Sequence, residues 1–165
     1  MADRGIEAET TPWNGPGLKE FVALMAALMA SNALAIDSML PALPAIGEAL
    51  GVAEENSRQL VITAYLMGFG GAQVVYGPLS DRFGRKWLLV VGLAFYGMFG
   101  LLAGLASSFT LLLGARFLQG VAAAATRVLV VSVVRDRYQG AGMARIMSIT
   151  MIVFMIVPGL APTFG

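Results

Sequence analysis

Five stretches of about twenty mostly apolar residues, joined by short connections, set what this chain can become. The first runs from Phe21 to Leu40 and is interrupted only by Ser31, Asn32, Asp37 and Ser38. The second is Gln59 to Tyr76, and the third is Trp87 to Leu105, which carries no charge. The fourth is Leu111 to Val134, with Arg116 and Arg127, and the fifth is Ile146 to Gly165. Each is long enough to cross the hydrocarbon core of a bilayer as a helix. The runs are continuous, whereas a membrane barrel alternates apolar and polar residues. The predicted fold is an all-α integral membrane bundle of five antiparallel helices.

Composition supports this and removes the competing classes. Apolar residues make up 58% of the chain and charged residues 13%, too few to coat a water-soluble ball of this size. Mean hydropathy is +0.77, the opposite of a disordered composition. There is no Cys, so no disulfide framework, and no His, so no imidazole acid–base chemistry. The usual ligands of zinc and haem are therefore missing, and no cofactor is expected. A net charge of +1 offers no basic surface for nucleic acid. Residues 1–17 hold Asp3, Arg4, Glu7, Glu9, Pro12 and Pro16 without an apolar run, and read as a short disordered tail. They lack the apolar core of a secretory signal.

Basic residues orient the bundle. Arg82, Arg85 and Lys86 lie in the connection Gly77–Lys86, and Arg135, Arg137 and Arg145 in the connection Arg135–Arg145. The other two connections carry Glu48, Glu54 and Glu55 against one Arg, or no charge. The basic connections and the N-terminus are thus expected on the cytoplasmic side. Small residues should let the helices approach closely: Gly68, Gly71 and Ala72 in the second, Gly100 and Gly104 in the third, Ala122 to Ala125 in the fourth.

Ionisable residues inside a span are costly and persist when paired or when they face a polar cavity. Asp37 is the one acid within a span and lies about one turn from the outer end of the first. Arg116 lies about 7–8 Å inside the same face on the fourth, so an Asp37–Arg116 pair is geometrically possible. It can be a static ion pair that fixes packing, or a titrating carboxylate tuned by desolvation against the neighbouring cation. Arg116, Gly120, Ala123 and Arg127 share one helical face, as a helix lining an aqueous cavity would arrange them. Arg127 is about 10 Å from the cytoplasmic end, within snorkelling reach. Pro41 and Pro44, then Pro158 and Pro162, are expected to interrupt the outer ends of the first and fifth helices. Met39, Tyr65 and Gln119 are candidates for lining a cavity, each equally readable as a packing residue.

The connection Gly77-Pro78-Leu79-Ser80-Asp81-Arg82-Phe83-Gly84-Arg85-Lys86 is the most specific segment. Gly77 and Gly84 permit tight turns, and Asp81 can accept charge-assisted bonds from three cations. A merely basic loop would not need Gly-x-Leu-x-Asp-Arg-x-Gly-Arg-Lys. This pattern resembles the signature loop between helices 2 and 3 of the major facilitator superfamily. Ile36-Asp37-Ser38-Met39-Leu40-Pro41-Ala42-Leu43-Pro44 is similar to the end of helix 1 in the Bcr/CflA drug-resistance family of proton-coupled exporters. Arg116-Phe117-Leu118-Gln119-Gly120 resembles the superfamily's Arg-x-x-Gln-Gly element of helix 4, and Arg135-Asp136 the Arg-Asp that closes that helix. Ala161-Pro162-Thr163-Phe164-Gly165 resembles the start of the antiporter motif of helix 5, with Ala161 where Gly is usual.

The resemblance covers about residues 20–165 and implies five of the six helices of a superfamily N-terminal half. It implies export of drug-like small molecules in exchange for protons from a bacterial plasma membrane, by two halves rocking about a midplane site. Asp37 and Arg116 would couple the protons. Gly77, Asp81, Arg82, Gly84, Arg85 and Lys86, with Arg135 and Asp136, would form a cytoplasmic gate. Gln119 and Gly120 would complete the helix 4 element, and Pro158, Pro162 and Gly165 belong to the antiporter motif. The partners implied are the lipid bilayer, protons, the substrate and a C-terminal half. Without that half the chain is expected not to transport. The alternative is a non-transporting membrane protein that only packs against other helices. An intramembrane enzyme lacks paired Asp residues or Ser with His. Gly68-Phe69-Gly70-Gly71 is followed by no G-K-[ST], so it is not a phosphate loop.

Overall fold

The structure is a computed structural model that describes residues 17–52, 54–138 and 140–164, with side chains throughout except at 55, 153, 154 and 156–164. The expected tail and Gly165 lie outside the described residues. Among the described residues seven helices follow in order: α1 (Leu18–Asp37), α2 (Leu43–Ala49), α3 (Glu55–Arg58), α4 (Leu60–Phe83), α5 (Arg85–Gly104), α6 (Phe109–Arg137) and α7 (Gly140–Phe164). Among the described residues α1, α4, α5 and α6 are long and apolar enough to cross a membrane. The fifth apolar run lies in α7, which is 25 residues long.

Burial on α5 is inverted relative to a water-soluble helix, whereas α1 buries Phe21, Val22, Met25, Leu28 and Met29. On α5 the buried residues are Gly92 and Ala103, whereas Leu101 is 72% exposed. On α4, Val74 is 79% exposed. Small residues turn inward so that backbones can approach, and large apolar side chains turn outward, as lipid-facing helices require.

Helix ends depart from the expected boundaries in an instructive way. The connection expected at Gly77–Lys86 is almost wholly helical: α4 continues through Pro78 to Phe83, and α5 begins at Arg85. Gly77 makes no turn. The whole joint is Gly84, at φ 82° and ψ 143°, a region essentially reserved for glycine. Likewise α6 runs to Arg137, and α7 starts at Gly140, with φ 55°. The helices run on through Ser80, Asp81 and Arg82 and through Arg135, Asp136 and Arg137, so loss of hydrophobicity does not mark the helix end. The connection Pro41–Arg58 holds two further short helices, α2 and α3, with Pro44 in the first turn of α2 where its missing N–H is harmless. The break expected near Pro41 is present, since α1 ends at Asp37. The break expected at Pro158 and Pro162 is not, because α7 is helical through both. Proline is tolerated in membrane helices where freed backbone groups find other partners.

The chain divides into two compact units, Leu34–Leu129 and Met1–Ala33 with Val130–Gly165. In the second, Phe21 and Tyr138 pack ring to ring at 6.1 Å, and the Arg137 guanidinium lies 5.7 Å from the Phe21 ring. In the first, α2 packs on α3, α3 on α4 and α4 on α5. Here α6 meets α4 through two glycine notches. A Cβ at Gly68 would strike the carbonyl of Phe117, and a Cβ at Gly120 would strike the carbonyl of Tyr65. Gly92 meets Ala125 in the same manner, with a Cβ there 2.7 Å from the Ala125 methyl. Of the small residues expected at contacts, Gly71 and Gly104 face open space. Met39, Val61, Ala103, Leu112 and Ala115 form a buried apolar cluster in this unit.

Candidate functional site

Arg116 is the centre of the Leu34–Leu129 unit's polar chemistry. The notch at Gly120 pins α6 to α4, and this fixes where the preceding turn of α6 points. The Arg116 guanidinium is half-buried, and its Nη1 donates to Oε1 of Gln119 at 3.0 Å. Its Nε is buried without a hydrogen-bond partner. Gln119 is itself buried, and its Nε2 occupies the space a Cβ of Gly100 would need, at 2.9 Å. Gly100, read from sequence as a helix-contact residue, is thus a notch for the amide that steadies Arg116.

Tyr65 and Tyr96 stand close enough to Arg116 to interact with its charge. Tyr65, Met39 and Arg116 border one narrow cavity together with Ala35 and Ile36 of α1. The structure therefore gathers Met39, Tyr65 and Gln119 around Arg116. Tyr96 was missed from sequence. The signal was its spacing: Gly92, Tyr96 and Gly100 recur every fourth residue and share a face of α5.

A larger cavity, about 360 Å³, adjoins the same guanidinium. It is walled by Ser38, Met39 and Ala42 after α1, Ile46 of α2, Ala103 of α5 and Leu112 of α6. Asp37 is exposed at the end of α1, next to Ser38, and the guanidinium of Arg116 turns to Gln119 and not to it. The stripe expected to line a water-filled cavity is divided. Gly120 and Ala123 are buried in helix packing, Arg116 borders cavities, and Arg127 is exposed. A guanidinium cannot act as a base or nucleophile here, so the chemistry open to it is electrostatic, the attraction of negative charge.

The expected gate residues sit at the α4–α5 joint. Asp81, Arg82 and Lys86 are exposed, and Arg85 is half-buried. Arg82 lies 5.5 Å from the ring of Phe83, and the Ser80 hydroxyl donates to the Gly77 carbonyl at 2.8 Å. In the other unit Arg135 and Asp136 are exposed near the end of α6. Pro158 and Pro162 are on α7, beyond its described side chains.

Comparison with known proteins matches residues 24–165 to the model of the Major Facilitator Superfamily. The chain is 34% identical over 155 residues to the uncharacterized MFS-type transporter YdgK of Bacillus subtilis, covering 92% of this chain and 38% of that protein. It is 34% identical over 148 residues to multidrug resistance protein MdtL of Salmonella paratyphi A, covering 90% and 37%. It is 36% identical over 133 residues to a chloramphenicol resistance protein of Pseudomonas aeruginosa, covering 80% and 32%. The chain thus spans less than two fifths of each of these relatives.

Proposed function

The chain belongs to the major facilitator superfamily, and from that premise we propose that it forms part of a secondary active transporter exporting drug-like small molecules in exchange for protons. It is a multi-pass membrane protein. We place it in a bacterial plasma membrane with the α4–α5 joint on the cytoplasmic side, in keeping with its basic residues and its bacterial relatives. The names of the Salmonella and Pseudomonas relatives support the substrate class. Because the chain spans 38% of its Bacillus relative, it supplies a share of a transport unit whose halves rock about a common site.

The observation that carries this reading is Arg116, a half-buried cation within a span that borders a cavity. Asp37 adjoins Ser38, a wall of the same cavity. A carboxylate that pairs with a fixed cation in one conformation and takes up a proton in the other links proton movement to the conformational change. No covalent step is needed.

The test is flux in proteoliposomes holding the transport unit to which the chain belongs. A pH gradient should drive chloramphenicol or ethidium across the membrane, and Asp37→Asn should lower the gradient-driven component at least tenfold. Flux that persists in the variant removes Asp37 as the coupling acid. If neither compound moves in the unaltered protein, drug export is the wrong reading.

A further inference from the structure

Arg116 has five N–H donors, and its hydrogen-bond partner among the described residues is Gln119. Its Nε is buried and unpartnered, and among the described residues no carboxylate forms an ion pair with it. A cation in apolar surroundings is costly unless paired. The Gly68 and Gly120 notches fix the depth of α6, and the guanidinium is turned inward to Gln119. It also faces the cavity of about 360 Å³, in the size range of small-molecule sites. Among the described residues Arg116 is the single charged residue in that wall, and Ser38 supplies the one hydroxyl. Met39, Ile46, Ala103 and Leu112 make the rest of the wall apolar.

That combination selects a ligand. A cation would be repelled. A wholly apolar molecule would seal Arg116 in without a partner. A strongly hydrated inorganic anion would leave the apolar wall unfilled. We propose that this cavity binds a small amphiphile through an anionic oxygen group, a carboxylate or phosphate, held by Arg116 with the apolar body against Met39, Ile46 and Leu112. Gln119 and the notch at Gly100 hold the guanidinium ready for it. Such an anion is an alternative counter-ion to Asp37 for the same cation. The site is defined by binding and does not depend on the export reading, since neither a proton gradient nor transport enters its test.

The experiment uses the purified chain in phosphatidylcholine nanodiscs, with empty nanodiscs as the measure of partition into lipid. Binding of 4-(trifluoromethyl)benzoate is followed by ¹⁹F NMR line broadening, beside its neutral analogue 4-(trifluoromethyl)benzamide. The carboxylate should bind saturably and the amide at least tenfold more weakly. Arg116→Gln should weaken carboxylate binding at least tenfold, and Arg116→Lys should restore part of it. Gly104 lines the cavity and has open space where a Cβ would go, so Gly104→Leu fills the cavity while sparing Arg116. That variant should lose binding too, and it carries the test if Arg116→Gln fails to fold. Equal binding of acid and amide, or acid binding unchanged in Gly104→Leu, overturns the proposal. Adding phosphatidylglycerol to the nanodiscs separates the sources. Competition with the benzoate identifies a lipid headgroup as the occupant, its absence identifies a soluble acid, and both support the site.

Discussion

Gly120 and Arg116 stand one turn apart on α6 and answer to opposite demands. At Gly120 every space is taken: the carbonyl of Tyr65 rests where a side chain would begin. At Arg116 a charge sits beside open volume with donors to spare. The first position is settled by close packing, the chief source of helix association where lipid removes the hydrophobic drive. The second breaks the rule that buried polar groups are satisfied, and proteins keep such exceptions at functional sites. One turn of helix therefore separates a position whose change should cost stability from one whose change should cost binding.

The contrast can be broken at Gly120 with the largest effect. Gly120→Ala drives a methyl into the backbone of α4, which cannot yield without parting the helices. A loss of about 3 kcal/mol is expected, at the upper end for overpacking, read by denaturant unfolding in detergent micelles followed by circular dichroism. Loss below a few tenths would mean the α4–α6 contact is not tight. Gly84→Ala comes next. There nothing crowds a Cβ, but the backbone angles favour glycine, so about 2 kcal/mol should be lost from the conformation alone. Unchanged stability would show that the one-residue joint can relax.

The smallest stability effect sharpens the comparison instead. At Gly100 a new methyl meets the end of the flexible Gln119 side chain, which can move by a few tenths of an ångström. Gly100→Ala should cost about 1 kcal/mol or less. It should nevertheless weaken benzoate binding severalfold, because Gln119 steadies Arg116. Gly71→Ala, with open space around it, should leave both properties unchanged or raise stability by up to about 1 kcal/mol. If the two alanines behave alike in binding, Gly100 is an ordinary packing residue.

Much of the fold was legible because lipid imposes a simple rule: a backbone must satisfy itself over about twenty residues to cross. That rule placed all the long helices within a few residues at most ends. It misjudged the connections, since it reports where the bilayer stops. Residues 80–82 and 135–137 are polar and helical at once, and at the α4–α5 joint it is Gly84, with positive φ, that breaks the path. The candidate site was legible in part. Arg116 announced itself as a charge in a span, and Gln119 lay three residues away on its face. Tyr96 was hidden among apolar neighbours, since a tyrosine in a membrane helix reads equally well as lipid-facing.

The sequence by itself determined the class of protein, the number of long helices, their family and the charges that needed explaining. These follow from composition and local spacing, which need no partner. Only the tertiary structure decided what each charge and each glycine meets. Gly68 became a notch, Gly100 a seat for Gln119, and Gly71 and Gly104 positions with open space around them, although all four read alike along the chain; Gly120, read as lining a cavity, became a second notch. Arg116 met Gln119 and a cavity because the depth and rotation of α6 were fixed by backbone contacts with α4. Such contacts depend on two distant segments at once, so no window of local sequence contains them.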